Sequence, residues 1–166
     1  EKRHKVSGAV LSGMEYVRGI ARLAGLTAVD TGVLYDESDD DFELVGTEIL
    51  SKLKEKDFVC VQFNGCDEAS RLGDSRAKIS ALEGLDFFVL SKIKKYMDTN
   101  KDLRLIIHTV HSAPWQLRRP SRDFAPFVLA GKNIMADDIE KFSEASARVS
   151  ELKFKKGSEA LASFFA

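Results

Sequence analysis

Asp67 and Arg71 stand four residues apart in a segment bounded by Asn64-Gly65 and Asp74. A guanidinium is a fixed cation and cannot coordinate a metal. His108 and His111 follow three residues apart, and Trp115 is trailed by Arg118, Arg119 and Arg122. An indole offers a large apolar face with one donor, and three guanidinium forks suit carboxylates or phosphates. The acidic cluster Asp36 to Asp41 could hold a cation or a partner, but a solvated loop that caps the next helix is the preferred reading. His108 lies inside the apolar run Leu105-Ile106-Ile107 and reads as a strand residue, while His4 is assigned no role. Cys60 falls in an apolar run and Cys66 in a loop, a pattern of neither a disulfide framework nor a zinc ribbon.

These residues need elements to hold them. Leu11, Met14, Val17, Ile20, Ala21 and Ala24 recur at three and four, predicting an amphipathic helix over Leu11 to Leu26 with Gly25 at its C-terminal cap. Leu26 to Val29 and Val33 to Tyr35 read as short extended pieces, and Phe42 to Leu53 as a helix. The segment Phe58 to Phe63 suits a strand buried on both faces. A turn-rich stretch, Cys66 to Gly73, leads to Asp74 as the N-cap of a long helix ending near Met97. Leu103 to Val110 and Phe124 to Ala130 are further strands; Asp137 to Arg148 and Gly157 to Phe165 are helices. Strand and helix alternate, so the expected fold class is α/β, a mostly parallel sheet flanked by helices. Ligand sites of such sheets gather at the C-terminal strand ends, which singles out the loops Asn64 to Asp74 and Thr109 to Arg122.

The chain has 166 residues, 44% hydrophobic and 31% charged, with a formal net charge of −1. That suits one domain over residues 1–166 and gives no global field toward nucleic acid or an anionic membrane. No apolar run reaches the roughly 20 residues that cross a bilayer, and Glu1 to Lys5 lead into no signal-type core. An intracellular, reducing home is expected, cytoplasm and nucleus being indistinguishable.

The run from Asp57 to Asp74, with Asp67-Glu68-Ala69-Ser70-Arg71-Leu72-Gly73-Asp74 at its end and Lys78, Glu83 and Asp86 beyond, resembles the archaeal-type cofactor-independent phosphoglycerate mutases of the alkaline-phosphatase superfamily. Those proteins carry Asp-Glu-Ala-Gly-His-x-Gly-Asp after a buried strand. Val17-Arg18-Gly19-Ile20-Ala21-Arg22-Leu23-Ala24-Gly25-Leu26 is similar to their Val-Arg-Gly-Ile-Gly-Arg-Leu-Ala-Gly-Met. Downstream, His111-Ser112-Ala113-Pro114 falls where they have Asp-His-Pro-Thr-Pro, and Ala125 to Leu129 matches their Val-Pro-Phe-Leu-Leu strand. Phe142-Ser143-Glu144 and Gly157-x-Glu159-Ala-Leu161 complete the likeness, which spans the family's C-terminal half. The family's N-terminal part, with a metal-binding Asp and the Ser that becomes phosphorylated, has no counterpart here.

The resemblance implies phosphoryl transfer through a phosphoserine with two divalent ions. Carried over position by position, Asp67 and His111 keep ligand types, and they belong to different metal sites in the family. Arg71, Val110 and Pro120 replace ligands. The expectations are therefore no catalytic residue, no bound metal and no cofactor: a non-catalytic, phosphoglycerate-mutase-like domain serving protein interaction, scaffolding or assembly. Arg71 is expected to pair with Asp67 in place of an ion. Trp115, Arg118, Arg119 and Arg122 form the candidate interaction surface for an unnamed protein partner; no membrane role is expected, and nucleic acid is disfavoured. The alternatives are a metal-dependent mutase or phosphatase fragment that needs the missing N-terminal half, and a phosphate- or nucleic-acid-binding module.

Overall fold

A computed structural model describes residues 6–32 and 38–165. Its centre is a parallel sheet in the order β2-β1-β3, built from β1 (Gly8–Ser12), β2 (Thr27–Asp30) and β3 (Phe58–Val61). β1 is buried along its whole length, with Ser12 opposite Asp30 and Leu11 opposite Val61. This strand replaces the start of the helix expected from Leu11. The helix, α1, runs only Glu15–Leu23, because Gly8 to Ser12 is claimed by pairing with strands on both sides. Gly25 has the left-handed φ of 78° expected just past a helix end.

α2 (Asp39–Leu53) opens with a capping box in which the Ser38 hydroxyl accepts from the Asp41 amide and the Asp41 carboxylate accepts from the Ser38 amide. The acidic cluster thus caps a helix, as expected for its described part; Asp36, Glu37 and the extended piece Val33 to Tyr35 lie outside the described residues. Phe42, Val45 and Ile49 of α2 meet Ala9 and Leu11 of the sheet and Val89 and Ile93 of the long helix to form the core. That long helix comprises α4 (Ser75–Gly84), a π-helical segment (Leu85–Leu90) and α5 (Ser91–Thr99). Asp74 caps it, accepting from the Arg76 and Ala77 amides. Gly84 lets the helix approach α2, since a Cβ there would lie 2.5 Å from the Phe42 ring.

β4 (Arg104–His108) and β5 (Phe127–Gly131) form a separate antiparallel pair. The three later strands are shorter than the sequence spans suggest. α6 (Glu144–Val149) occupies only the end of the expected 137–148 helix, and α7 (Gly157–Phe165) follows as expected. Among the described residues, no helix is long and apolar enough to cross a membrane.

Candidate functional site

The parallel strands present their C-terminal ends on one side, and a polar layer is built there. The Ser12 hydroxyl donates to Gln62 Oε1 (2.9 Å) and accepts from the Met14 amide (3.0 Å). Arg18, only 8% exposed, donates from Nη1 to the Ser12 carbonyl and to Asp30 Oδ1, both at 2.9 Å. Asp30 Oδ1 also accepts from the Gly32 amide. Sequence reasoning singled out none of these side chains as site residues. The signal was present: Met14, Arg18 and Ala21 fall on one helix face, so the arginine sits in a buried stripe and needs partners.

The expected turn-rich stretch after β3 is a helix, α3 (Gly65–Leu72). Helical geometry puts residues i and i+4 on one face, and Asp67 Oδ2 accepts from Arg71 Nε at 2.8 Å. The expected ion pair is present. Ser70 is fully buried, its hydroxyl donating to the Cys66 carbonyl at 2.7 Å. α3 stops at Gly73, whose φ of 76° turns the chain directly into the Asp74 cap of α4.

The segment after β4 folds over this elbow. Lys78 Nζ donates to the Ala113 carbonyl at 2.8 Å, and the Ser121 amide donates to the Ser112 carbonyl at 2.9 Å. His111 is thereby held with Nε2 3.8 Å from Asp67 Oδ1. The Arg118 guanidinium lies on Gly73, where an added Cβ would come within 2.5 Å of Nε. Asp67, Arg71, His111 and Arg118 thus surround one helix junction at the ligand edge of the sheet.

The described side-chain polar atoms that are buried without a hydrogen-bond partner are Thr31 Oγ1, Asp67 Oδ1 and His111 Nδ1. All three follow the C-terminal end of a strand. Buried polar atoms are ordinarily paired, so Asp67 Oδ1 and His111 Nδ1, on two side chains that approach to 3.8 Å, mark this junction as a candidate ligand site. Asp67 raises the Arg71 pKa above its ordinary value, first through the side-chain hydrogen bond and then through its charge. The guanidinium stays a fixed cation.

The remaining expected positions are solvent-exposed. Val110 is 79% exposed, Pro120 is on the exposed loop, and exposed His108 has its ring nitrogen 3.4 Å from the Thr109 carbonyl. Trp115 is 40% exposed, with Arg118, Arg119 and Arg122 also on the surface.

The fit of a divalent-ion pair can be judged from the donors. Arg71, Val110 and Pro120 offer no lone pair, Asp67 Oδ2 is engaged by Arg71, and no three His, Cys, Asp or Glu side chains converge among the described residues. An ion bound in a protein needs three or four donors, so these residues do not fit a two-ion centre.

Residues 1–157 match the model of a protein family described as the metalloenzyme superfamily. The chain belongs to that superfamily. The 2,3-bisphosphoglycerate-independent phosphoglycerate mutase of Methanococcus vannielii is 30% identical over 157 residues, covering 95% of this chain and 38% of that protein. Those of Methanococcus maripaludis (32% over 152 residues) and Pyrobaculum neutrophilum (31% over 147) cover 92% and 87% of the chain and 37% and 34% of their own lengths. This superfamily chain therefore spans little more than a third of the curated relatives it matches. Among solved structures, the PH0037 protein of Pyrococcus horikoshii superposes with a TM-score of 0.72 at 24% identity, over 88% of this chain and 44% of that one. That likeness establishes the α/β fold.

The family resemblance is thus borne out, and one expectation is corrected. A non-catalytic protein was inferred from replaced ligands, yet the metalloenzyme superfamily match and relatives named as mutases point to enzymatic kin. Missing ligands in one segment cannot decide catalysis when that segment matches a third of the relatives' length.

Proposed function

We propose that the protein is a phosphoglycerate-mutase-like enzyme and that this chain supplies its phosphate-ester-binding edge. The observation that carries the reading is Asp67, joined to Arg71 at 2.8 Å and facing His111 at 3.8 Å at the C-terminal strand ends. Arg71 and Arg118 supply fixed positive charge for a phosphate or carboxylate group, and His111 supplies an imidazole that can hold or move a proton. Asp67 fixes the Arg71 rotamer through its hydrogen bond and stands 3.8 Å from His111 Nε2. The buried Arg18, tied to Ser12 and Asp30, keeps the neighbouring strand ends rigid beneath them. No nucleophile is assigned within this chain.

The test is interconversion of 3- and 2-phosphoglycerate by the natural full-length protein, beside its His111→Ala and Arg71→Ala variants. Activity that falls at least about tenfold in each variant supports the reading. Activity untouched by both substitutions contradicts it, as does an active site that maps to other residues.

A second reading concerns the loop surface. Trp115, Leu117 at 51% exposure and Phe124 at 95% share the segment between β4 and β5 with the exposed Arg119 and Arg122, the aromatic and arginine mixture enriched at interface centres. We propose an acidic or apolar segment of a protein as its partner. Trp115→Ala combined with charge reversal at Arg119 should abolish partner co-purification at unchanged melting temperature. A lower melting temperature without partner loss would mean that Trp115 packs inward.

A further inference from the structure

A carboxylate held at the edge of a sheet needs a counter-charge. The superfamily's name implies a metal for that purpose, but Arg71 occupies the ligand position four residues after Asp67 and binds the carboxylate itself. Arg71 uses Nε for this contact. Among the described residues its terminal NH₂ groups make no hydrogen bond, and its side chain is 51% exposed. A guanidinium has five donors in a rigid plane, so anchoring by Nε leaves a two-pronged fork to receive an oxyanion. His111 lies on the far side of the same carboxylate, with Nδ1 buried and unpartnered. Arg118 adds a second guanidinium across Gly73.

We infer that Arg71 takes the place of a divalent ion: its guanidinium, anchored to Asp67, neutralises that carboxylate and offers its terminal donors, with the His111 imidazole, to a phosphate-type oxyanion without any metal. The oxyanion class rests on the function proposed above; the replacement of the ion does not. Phosphate binding here depends on a fixed charge set by the sequence, so chelators leave it intact. The physical distinction is that an arginine binds through hydrogen bonds of fixed direction, whereas an ion binds through exchangeable coordination positions.

The experiment titrates inorganic phosphate by calorimetry with and without EDTA, and follows melting temperature with Zn²⁺ and Mn²⁺. The parent should bind phosphate equally in EDTA and show no metal-dependent rise in melting temperature. Arg71→Ala should weaken phosphate at least about tenfold, the loss expected for a charged hydrogen-bond pair. Arg71→Lys, which keeps the charge and loses the fork, should fall between the two and serves if the alanine variant does not fold. Arg71→His puts an imidazole four residues after Asp67 and beside His111, and should gain a Zn²⁺-dependent rise in melting temperature.

A parent that loses phosphate affinity tenfold in EDTA, or is stabilised by Zn²⁺ as much as Arg71→His, would overturn the inference. So would a parent that binds no phosphate, or an Arg71→His variant indifferent to zinc. Metal-independent phosphate binding without mutase activity would sink the proposed function and leave this inference standing.

Discussion

The parallel sheet with its two covering helices and the region after residue 100 are built to different standards. In the first, Ala9, Leu11, Phe42, Val45, Ile49 and Val89 are each at most 3% exposed and contact one another across sheet, α2 and the long helix. In the second, Val110, Phe124, Met135 and Val149 are 77% exposed or more, and α6 and α7 bury no residue. The candidate site straddles the border. Asp67 and Arg71 stand on α3, seated on the well-packed side, whereas His111 and Arg118 come from the loosely packed one. The comparison teaches that the site has a rigid wall and an adjustable one, held together by contacts such as Lys78 to Ala113.

The strongest way to break this contrast is to cut into both sides equally. Leu11→Ala should cost about 2–5 kcal/mol in urea unfolding, because the cavity sits where neighbours cannot collapse. Leu152→Ala, at a residue 46% exposed, should cost under about 1 kcal/mol. Equal losses would show that the second region is packed as firmly as the first.

A smaller effect comes from overpacking. Gly84→Ala brings a Cβ to 2.5 Å from Phe42 and should destabilise by about 1–3 kcal/mol, whereas Gly157→Ala meets nothing within 4 Å and should stay within about 0.5 kcal/mol. A neutral Gly84→Ala would mean that α2 and α4 can separate freely.

The smallest effect is a pH dependence at the sheet's lower end. Hydrogen bonds from the Ser7 hydroxyl and amide (2.7 and 2.8 Å) lower the Asp57 pKa below its ordinary 3.8. A carboxyl with a lowered folded pKa contributes stability that is complete above the ordinary value and is lost as pH falls through the folded value. Asp57→Asn should therefore flatten the acid limb of the stability profile below about pH 4 and leave the neutral region unchanged in slope. An unaltered acid limb would mean that Ser7 is not fastened to β3 in solution.

Much of the firm region was legible in the sequence. The β-branched run at Phe58 marked β3, Asp74 announced its helix, and the family resemblance implied the Asp67–Arg71 ion pair. β1 was not legible as a strand. Gly8 to Ser12 is a short run set between Ser7-Gly8 and Ser12-Gly13, but Leu11 also begins the three-and-four spacing of the following helix, and pairing with β2 and β3 decides its conformation. The helix α3 was masked by Asn64-Gly65 and Gly73, turn signals that bound a short helix rather than mark a loop. At the site, Asp67 and His111 were legible one by one, but their 3.8 Å approach depends on the Lys78 and Ser112 contacts across 35 and 9 residues, which no local pattern encodes. The Ser12–Arg18–Asp30 layer escaped for the same reason.

The central claim is that phosphate esters bind at the junction of α3 and the loop after β4. Amide chemical-shift mapping of the ¹⁵N-labelled protein during titration with 3-phosphoglycerate tests it most directly. The account predicts the largest shifts over residues 67–73 and 109–119, with those of α5 unmoved. Shifts centred instead on the lysine-lined groove of Lys54, Lys92 and Lys95, or none at millimolar ligand, would contradict it.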